Sequence, residues 1–386
     1  MPKENLIIIM IDGGRLDHAQ KSEVFSKIES NSVFLSQSIT YAPHTIAAMH
    51  AVFSGSYGSR TGTNSYWSTF NFKKNKFKTL TEYLHDSSYH THADVINELV
   101  VPKQGFDNYV VHDEESDDLS ERHKNLLHQM NEKFLDGKNF FLYLHYSNIH
   151  TGIKNEVLKV YNNHSKEFFE NTEINKNRYK RLFVNSEKYL EYILNEIKKL
   201  KIDENSLILI MSDHGVSTGE KFGEHAYAAF CYDYTLRTFA YFLTKNLPAC
   251  NIKQQTRTID FMPTILDYLQ ISLDSTKENL DGISLLPLIQ NSNDTKMDEE
   301  YAYSETGNPL HEKQPPKTPN VMSIRWDNPN DGLVWKLIYN AHDDTKELYN
   351  LSKDPSESSN LIGKNNQIET KLWSELLKIQ QSSVSN

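Results

Sequence analysis

The chain has 386 residues, 38% of them hydrophobic and 24% charged, with a net charge of −10 at pH 7. This length suits one large domain or two ordinary ones, and the acidic balance argues against the basic footprint of a nucleic-acid binder. Two cysteines exclude a disulfide scaffold and multi-cysteine zinc modules, so any metal must be held by carboxylates and the 16 histidines.

Leu6 to Ile11 (LIIIMI) is a continuous apolar run closed by Asp12-Gly13-Gly14. Such a run reads as a central parallel strand buried on both faces. It is far short of the ~20 residues that cross a membrane, and the residues before it lack a signal-peptide pattern. The expectation is a cytoplasmic chain with no membrane span. Thr45 precedes an Ala-rich helical stretch that ends at Ser54-Gly55, and Thr79 to His85 has apolar residues at helical spacing. Phe140 to His145 (FFLYLH) is a second apolar run, with His150 just beyond it. Arg178 to Lys199 is a long amphipathic helix. Ser206 to Met211 (SLILIM) is a third run, closed by Ser212-Asp213-His214-Gly215 and followed by Gly223-Glu224-His225. Thr238 to Leu243 is a fourth, weaker strand, and Asp260 to Leu269 a helix with Pro263 in its first turn. Cys231 and Cys250 read as a reduced pair.

Strands alternating with helices predict an α/β domain over residues 1–300, with a mostly parallel central sheet flanked by helices. The texture changes after Asn291, where a polar stretch leads to a small C-terminal α+β subdomain over 301–386. His311 to Asn320 carries three prolines and reads as a loop or lid contributed to the site. Trp335 to Tyr339 and Glu347 to Leu351 read as a hairpin, and Asn365 to Ile379 as a closing helix.

Open α/β sheets bind ligands at the carboxyl ends of their strands. Asp12, His145 with His150, and Asp213 with His214 all end strands, so one site can collect them. Taken singly, each has a plain structural reading: an Asp that caps a turn, a core histidine, a solvated loop. Thr45 alone reads as a routine N-cap, although a hydroxyl at a helix N-terminus also sits in a positive field. Order and strand-end placement together give these residues their chemical sense.

In that order the segments IIIMIDGGRLD, APHTIAAMHAVFSG, FFLYLHYSNIHTG, SDHGVSTGEKFGEH, YDYTLRTF and WKLIYN…ELYNLSKDPSESSNL resemble the sulfatase branch of the alkaline phosphatase superfamily, over nearly the whole chain. Sulfatases mature a Cys or Ser, in a C/S-x-P-x-R pattern, to formylglycine. Here Thr45 stands at that position, with Ala47 for the Pro and Met49 for the Arg. Gly13 replaces the second Asp of the family's metal-binding pair, and the lysine expected after GEHG has no counterpart. A Thr nucleophile is similar to the phosphoryl-handling relatives: phosphodiesterases and the phosphoethanolamine and lipoteichoic-acid phosphotransferases.

The resemblance implies one or two divalent ions held by Asp12, Thr45, Asp213 and His214, with His150 and His225 at a second ion or on the leaving-group side. Zinc suits this donor set best, ahead of manganese or calcium. Thr45, His150 and His225 are the expected catalytic residues; Arg15, His44, His145 and His311 are candidates for substrate oxygens. The expected activity is metal-dependent hydrolysis of phosphate or phosphonate esters through a phospho-threonine. The alternatives are a soluble phosphotransferase with an alcohol acceptor, a sulfuric ester hydrolase without formylglycine, and, least favoured, a non-catalytic binding protein. The expected partner is a small anionic ester or phospho-sugar, and the oligomeric state is left open.

Overall fold

All seven residues of the strand Asn5–Ile11 (β1) are buried. Its side chains alternate between two cores, with Leu6, Ile8 and Met10 on one face of the sheet and Ile7, Ile9 and Ile11 on the other. This is why the run is apolar throughout rather than at every second position. The computed structural model describes residues 4–158, 166–290, 301–307, 318–329 and 331–384.

β1 is followed by β2 (Val33–Ile39), β3 (His90–Val95), β4 (Asn108–Val111), β5 (Phe140–Tyr146), β6 (Ser206–Ser212), β7 (Arg237–Leu243), β8 (Cys250–Ile252) and β9 (Thr256–Arg257). They form one nine-stranded sheet in the order β4-β3-β5-β1-β6-β7-β2-β8, with β9 also on β2. The sheet is mixed and mostly parallel, since β7 alone runs antiparallel to its neighbours β6 and β2. Register positions the site. Ile11 pairs with Tyr146 on one side and Ser212 on the other, so Asp12, Ser147 and Asp213 leave three adjacent strands at the same level.

The helices that frame this edge are α1 (Thr45–Ser54), α2 (Leu119–Leu135), α3 (Asn148–Gly152), α4 (Thr172–Lys199) and α5 (Asn366–Val384). α4 covers one face of the sheet with Leu190, Ile193 and Ile197. α1 covers the other with Met49, Val52 and Phe53.

A second sheet of β10 (Tyr301–Thr306), β11 (Val321–Asp327), β12 (Val334–Asn340) and β13 (Thr345–Asn350) is antiparallel and sequential. The expected hairpin is β12–β13 and the expected closing helix is α5. Leu372 and Leu376 of α5 pack with Ile324, Leu337 and Leu348, and Ala47 and Ala51 of α1 join the same cluster. α1 is thus clasped between two cores, and all ten of its residues are buried. His311 and the first part of the proline loop lie outside the described residues. Cys231 and Cys250 are free thiols. Among the described residues, no helix is long and apolar enough to cross a membrane.

Candidate active site

Two strand ends and one helix start meet at a single buried point. Asp12 follows β1, Asp213 and His214 follow β6, and Thr45 is the first residue of α1. Asp12 is 1% exposed, Asp213 and His214 0% and Thr45 8%. Thr45 Oγ1 lies 3.4 Å from Asp12 Oδ2 and 3.3 Å from His214 Nε2. His214 Nε2 is 3.4 Å from Asp213 Oδ2 and 3.7 Å from Asp12 Oδ1.

Each carboxylate divides its two oxygens between donors and the centre of the group. Asp12 Oδ2 accepts from His145 Nε2 at 3.0 Å, while Oδ1 is buried with no hydrogen-bond partner. Asp213 Oδ1 accepts the Gly13 N–H at 3.1 Å, while Oδ2 is buried without a partner. His214 Nδ1 donates to the Gly215 carbonyl at 2.8 Å, which leaves Nε2 as an acceptor in the neutral ring. Two orphaned carboxylate oxygens and a ring lone pair therefore face one another in a dry place. Acceptors that outnumber the one hydroxyl donor among them, Thr45 Oγ1, fit a cation.

Burial opposes ionisation of Asp12, but His150, His145 and His214 together hold its carboxyl well below the ordinary range. Burial, helped by the Asp12 charge, pushes Asp213 up against the pull of His214. Two carboxylates in one dry site are costly unless positive charge is supplied there.

The other expected site residues fall in different places. His150 Nδ1 is 3.8 Å from Asp12 Oδ2 and its side chain is 28% exposed, so it borders the group from the open side. His44 is the N-cap residue of α1, and burial and His214 push it down to about 3. His145 is fully buried behind Asp12 and donates to that carboxylate. Arg15 pairs with Asp17 and Glu220 at 2.9 and 2.6 Å and donates to the Val216 carbonyl. His225 rests its ring against Phe168 and Phe169, with centroids 5.5 and 4.8 Å away.

Sequence reasoning missed two tyrosines. The Tyr227 hydroxyl is 3.1 Å from His150 Nδ1, and its ring lies over His214 at 4.8 Å. It is presented between Ala226 and Ala228, both at positive φ (77° and 75°), a conformation that costs roughly 1–2 kcal/mol per non-glycine residue. Tyr179 Oη accepts the Arg15 N–H and donates to the Gly13 carbonyl, both at 2.8 Å, and so braces the turn after β1. Its place on the apolar face of α4 gave no hint of this.

Residues 4–271 match the sulfatase family. The chain belongs to that family. Residues 223–382 also match the family described as N-sulphoglucosamine sulphohydrolase, C-terminal. A sulfatase of Formosa agariphila is 29% identical over 116 residues, 30% of this chain and 20% of that protein. A choline-sulfatase of Rhizobium meliloti is 27% identical over 198 residues, 50% of this chain and 35% of that protein. These matches thus span a minor part of both curated relatives. In fold, a solved structure in complex with its substrate D-glucosamine-2-N,6-O-disulfate superposes with a TM-score of 0.75 at 15% identity, over 100% of this chain and 99% of that one. The phosphonate monoester hydrolase of Agrobacterium radiobacter superposes at 0.74 and 13% identity, over 99% and 96%.

Sulfatase-family enzymes bind a divalent metal, and the group at Asp12, Asp213 and His214 has the donor set for one. A second buried group, Asp94, His112 and His123, has similar residue types, but its polar atoms are already paired. Asp94 Oδ2 is already met by Arg122 Nε at 2.6 Å, so its charge is answered. His112 Nε2 meets Ser147 Oγ at 2.9 Å and His123 Nδ1 meets Tyr189 Oη at 2.6 Å. Among the described residues, this sulfatase-family chain thus has one constellation that suits a cation and one that is a closed hydrogen-bond network.

Proposed function

We propose that this protein is a divalent-metal-dependent hydrolase of phosphonate or phosphate esters, with Thr45 as nucleophile. The observation that carries this reading is the Thr45 hydroxyl beside the orphaned oxygens of Asp12 and Asp213 and the Nε2 of His214. Asp12, Asp213, His214 and Thr45 would hold the ion. Imidazole with carboxylate favours zinc or manganese over calcium, which prefers an all-oxygen shell. When bound, such an ion lowers the pKa of an adjacent hydroxyl and neutralises the ester's anionic oxygens.

The chain's own groups supply the remainder. Thr45 Oγ attacks phosphorus in line, the Thr45 O–P bond forms, and the bond to the leaving oxygen breaks. The hydroxyl proton has an acceptor at 3.4 Å, Asp12 Oδ2. The N–H groups at the start of α1 set a positive field where negative charge gathers. His150, half-open to solvent and held by Tyr227, protonates the departing alkoxide. Water then attacks the phospho-threonine, His150 takes its proton, and Thr45 is released. His225, on the loop that carries Tyr227, belongs on the leaving-group side in this scheme.

Sulfate-ester hydrolysis is the second reading, favoured by the family match. It is set lower because a Thr adduct lacks the hemiacetal route by which a formylglycine sheds sulfate. The test is a panel of aryl phosphate, phosphonate and sulfate esters with zinc, manganese and calcium, with and without an alcohol acceptor. Phosphorus-ester turnover that Thr45→Ala lowers by about a thousandfold or more is expected. Full activity in Thr45→Ala overturns the nucleophile, sulfate-only turnover overturns the substrate class, and transfer without free acid points to a phosphotransferase.

A further inference from the structure

The closed network behind Asp12 has a directional order. Asp94 Oδ1 lies 2.6 Å from His112 Nδ1, and His112 Nε2 lies 2.9 Å from Ser147 Oγ. Asp94 and Ser147 are 0% exposed and His112 is 2% exposed. An ionised carboxylate only accepts, so His112 must donate from Nδ1. In the neutral ring Nε2 then accepts, and Ser147 donates to it. Asp94 is fixed as the acceptor by further donors from α2, Arg122 Nε at 2.6 Å and His123 Nε2 at 3.4 Å. Although burial opposes it, these partners hold the Asp94 carboxyl well below its usual range.

Ser–His–Asp geometry normally suggests a nucleophile. Here the hydroxyl is sealed from solvent, so no substrate reaches it. Its position is informative instead. Ser147 is the N-cap residue of α3, the short helix that carries His150, yet its side chain makes no cap bond. The hydroxyl is given to His112. Two residues earlier, His145 donates to Asp12, and its ring meets the His112 ring edge-on with centroids 6.1 Å apart.

We propose that Asp94, His112 and Ser147 form a buried positioning relay that fixes the turn from β5 into α3, and thereby sets His145 and His150 against Asp12. This inference rests on the reading of Asp12 as an ion ligand. These are positioning residues: they act on the ion site through His145 and His150. The prediction is that the polarity of the relay matters, beyond the space it fills.

The experiment compares metal-stripped wild type with Asp94→Asn, Ser147→Ala, His112→Gln and His112→Leu. Zinc affinity is read by chelator competition, and the ring proton positions of His112, His145 and His150 by nitrogen-15 NMR. An Asn amide would donate to Nδ1, so Asp94→Asn is expected to move the His112 proton to Nε2 and to weaken zinc binding roughly tenfold. Ser147→Ala is expected to weaken binding less and leave the His112 proton on Nδ1. Gln can donate to Asp94 and accept from Ser147, so His112→Gln should stay close to wild type while His112→Leu does not.

Equal zinc affinity across wild type and all folded variants overturns the relay, as does a His112 proton that stays on Nδ1 in Asp94→Asn. If Asp94→Asn fails to fold, His112→Gln against His112→Leu decides: a Gln variant as weak as the Leu variant overturns it. If wild type binds neither zinc nor manganese, the ion-site reading fails by itself. The relay is then judged on the spectra, where unmoved His145 and His150 signals in Ser147→Ala overturn it.

Discussion

Tyr227 joins two histidines that arrive from different strands. Its hydroxyl meets His150 and its ring covers His214, so the two halves of the side chain can be separated by mutation. Tyr227→Phe keeps the ring and removes one hydrogen bond. Turnover should fall roughly five- to tenfold, the effect of a hydrogen bond worth about 1 kcal/mol, while zinc affinity stays near wild type. Tyr227→Ala should lower both. Steady-state kinetics beside zinc competition check this, and a Phe variant with unchanged turnover would remove Tyr227 from the site. The same residue marks the limit of reading from sequence. The meeting of Asp12, Asp213 and His214 was legible from their order and from their place at the carboxyl ends of apolar runs, which a parallel sheet gathers at one edge. Thr45 was legible because it opens a helix in the same constellation. A tyrosine in a loop, or Tyr179 on an apolar helix face, is by default packing. Only the folded contacts, to His150 in one case and to Gly13 and Arg15 in the other, point to another role.

Among the elements, the turn after β1 is the most constrained. Gly13 has φ +71°, and a Cβ there would lie 2.9 Å from Val216 Cγ2. An Asp at this position, as in many sulfatases, would meet both obstacles. Gly13→Ala should cost about 1–2 kcal/mol in urea unfolding and weaken metal binding, because the Gly13 N–H holds Asp213. Wild-type stability and affinity in Gly13→Ala would show that the turn has slack. The loop bearing His225 and Tyr227 has its own anchor in Glu224, which accepts from Ala229 N, Phe230 N and Tyr234 Oη. Burial, outweighing those donors, pushes its carboxyl from 4.5 up to about 7. The folded chain then holds a proton that the unfolded chain has lost. This stabilisation is complete below about pH 4.5 and disappears as pH rises through about 7, at most about 3 kcal/mol. Urea unfolding across this range should show that decline, and Glu224→Gln should flatten it; an unchanged slope in Glu224→Gln would assign the decline elsewhere. Strands β1, β5 and β6 were readable as unbroken apolar runs. β3 was not, because His92 and Asp94 interrupt its pattern. Asp94 is buried because His112 and Arg122 answer it, and Thr91 because Gly105 and Asp107 do.

At the scale of the whole molecule, the site depends on two sheets holding α1 between them. The closing hairpin and helix were legible from their periodicity. The position of the second sheet against Ala47 and Ala51 was not, since small residues on a helix do not announce which surface will cover them. The junction also contains a buried charge cluster. Lys336 on β12 is 0% exposed, with Asp233 before β7 and Glu357 after β13 each 2.9 Å from its ammonium. Arg325 on β11 reaches the same Asp233 at 3.4 Å. A buried ion pair adds little beyond what an apolar pair of equal volume would, but removing one member leaves the other charge stranded. Lys336→Met should therefore destabilise by about 3–5 kcal/mol. Adding Glu357→Gln should recover part of that loss, because the carboxylate left without Lys336 is then gone. Asp233 still has Arg325, so the recovery should be larger with Glu357→Gln than with Asp233→Asn. Urea unfolding of the single and double variants measures each difference. If Lys336→Met costs less than about 1 kcal/mol, water or movement of the small sheet relieves the charge, and the cluster does not hold the two sheets together.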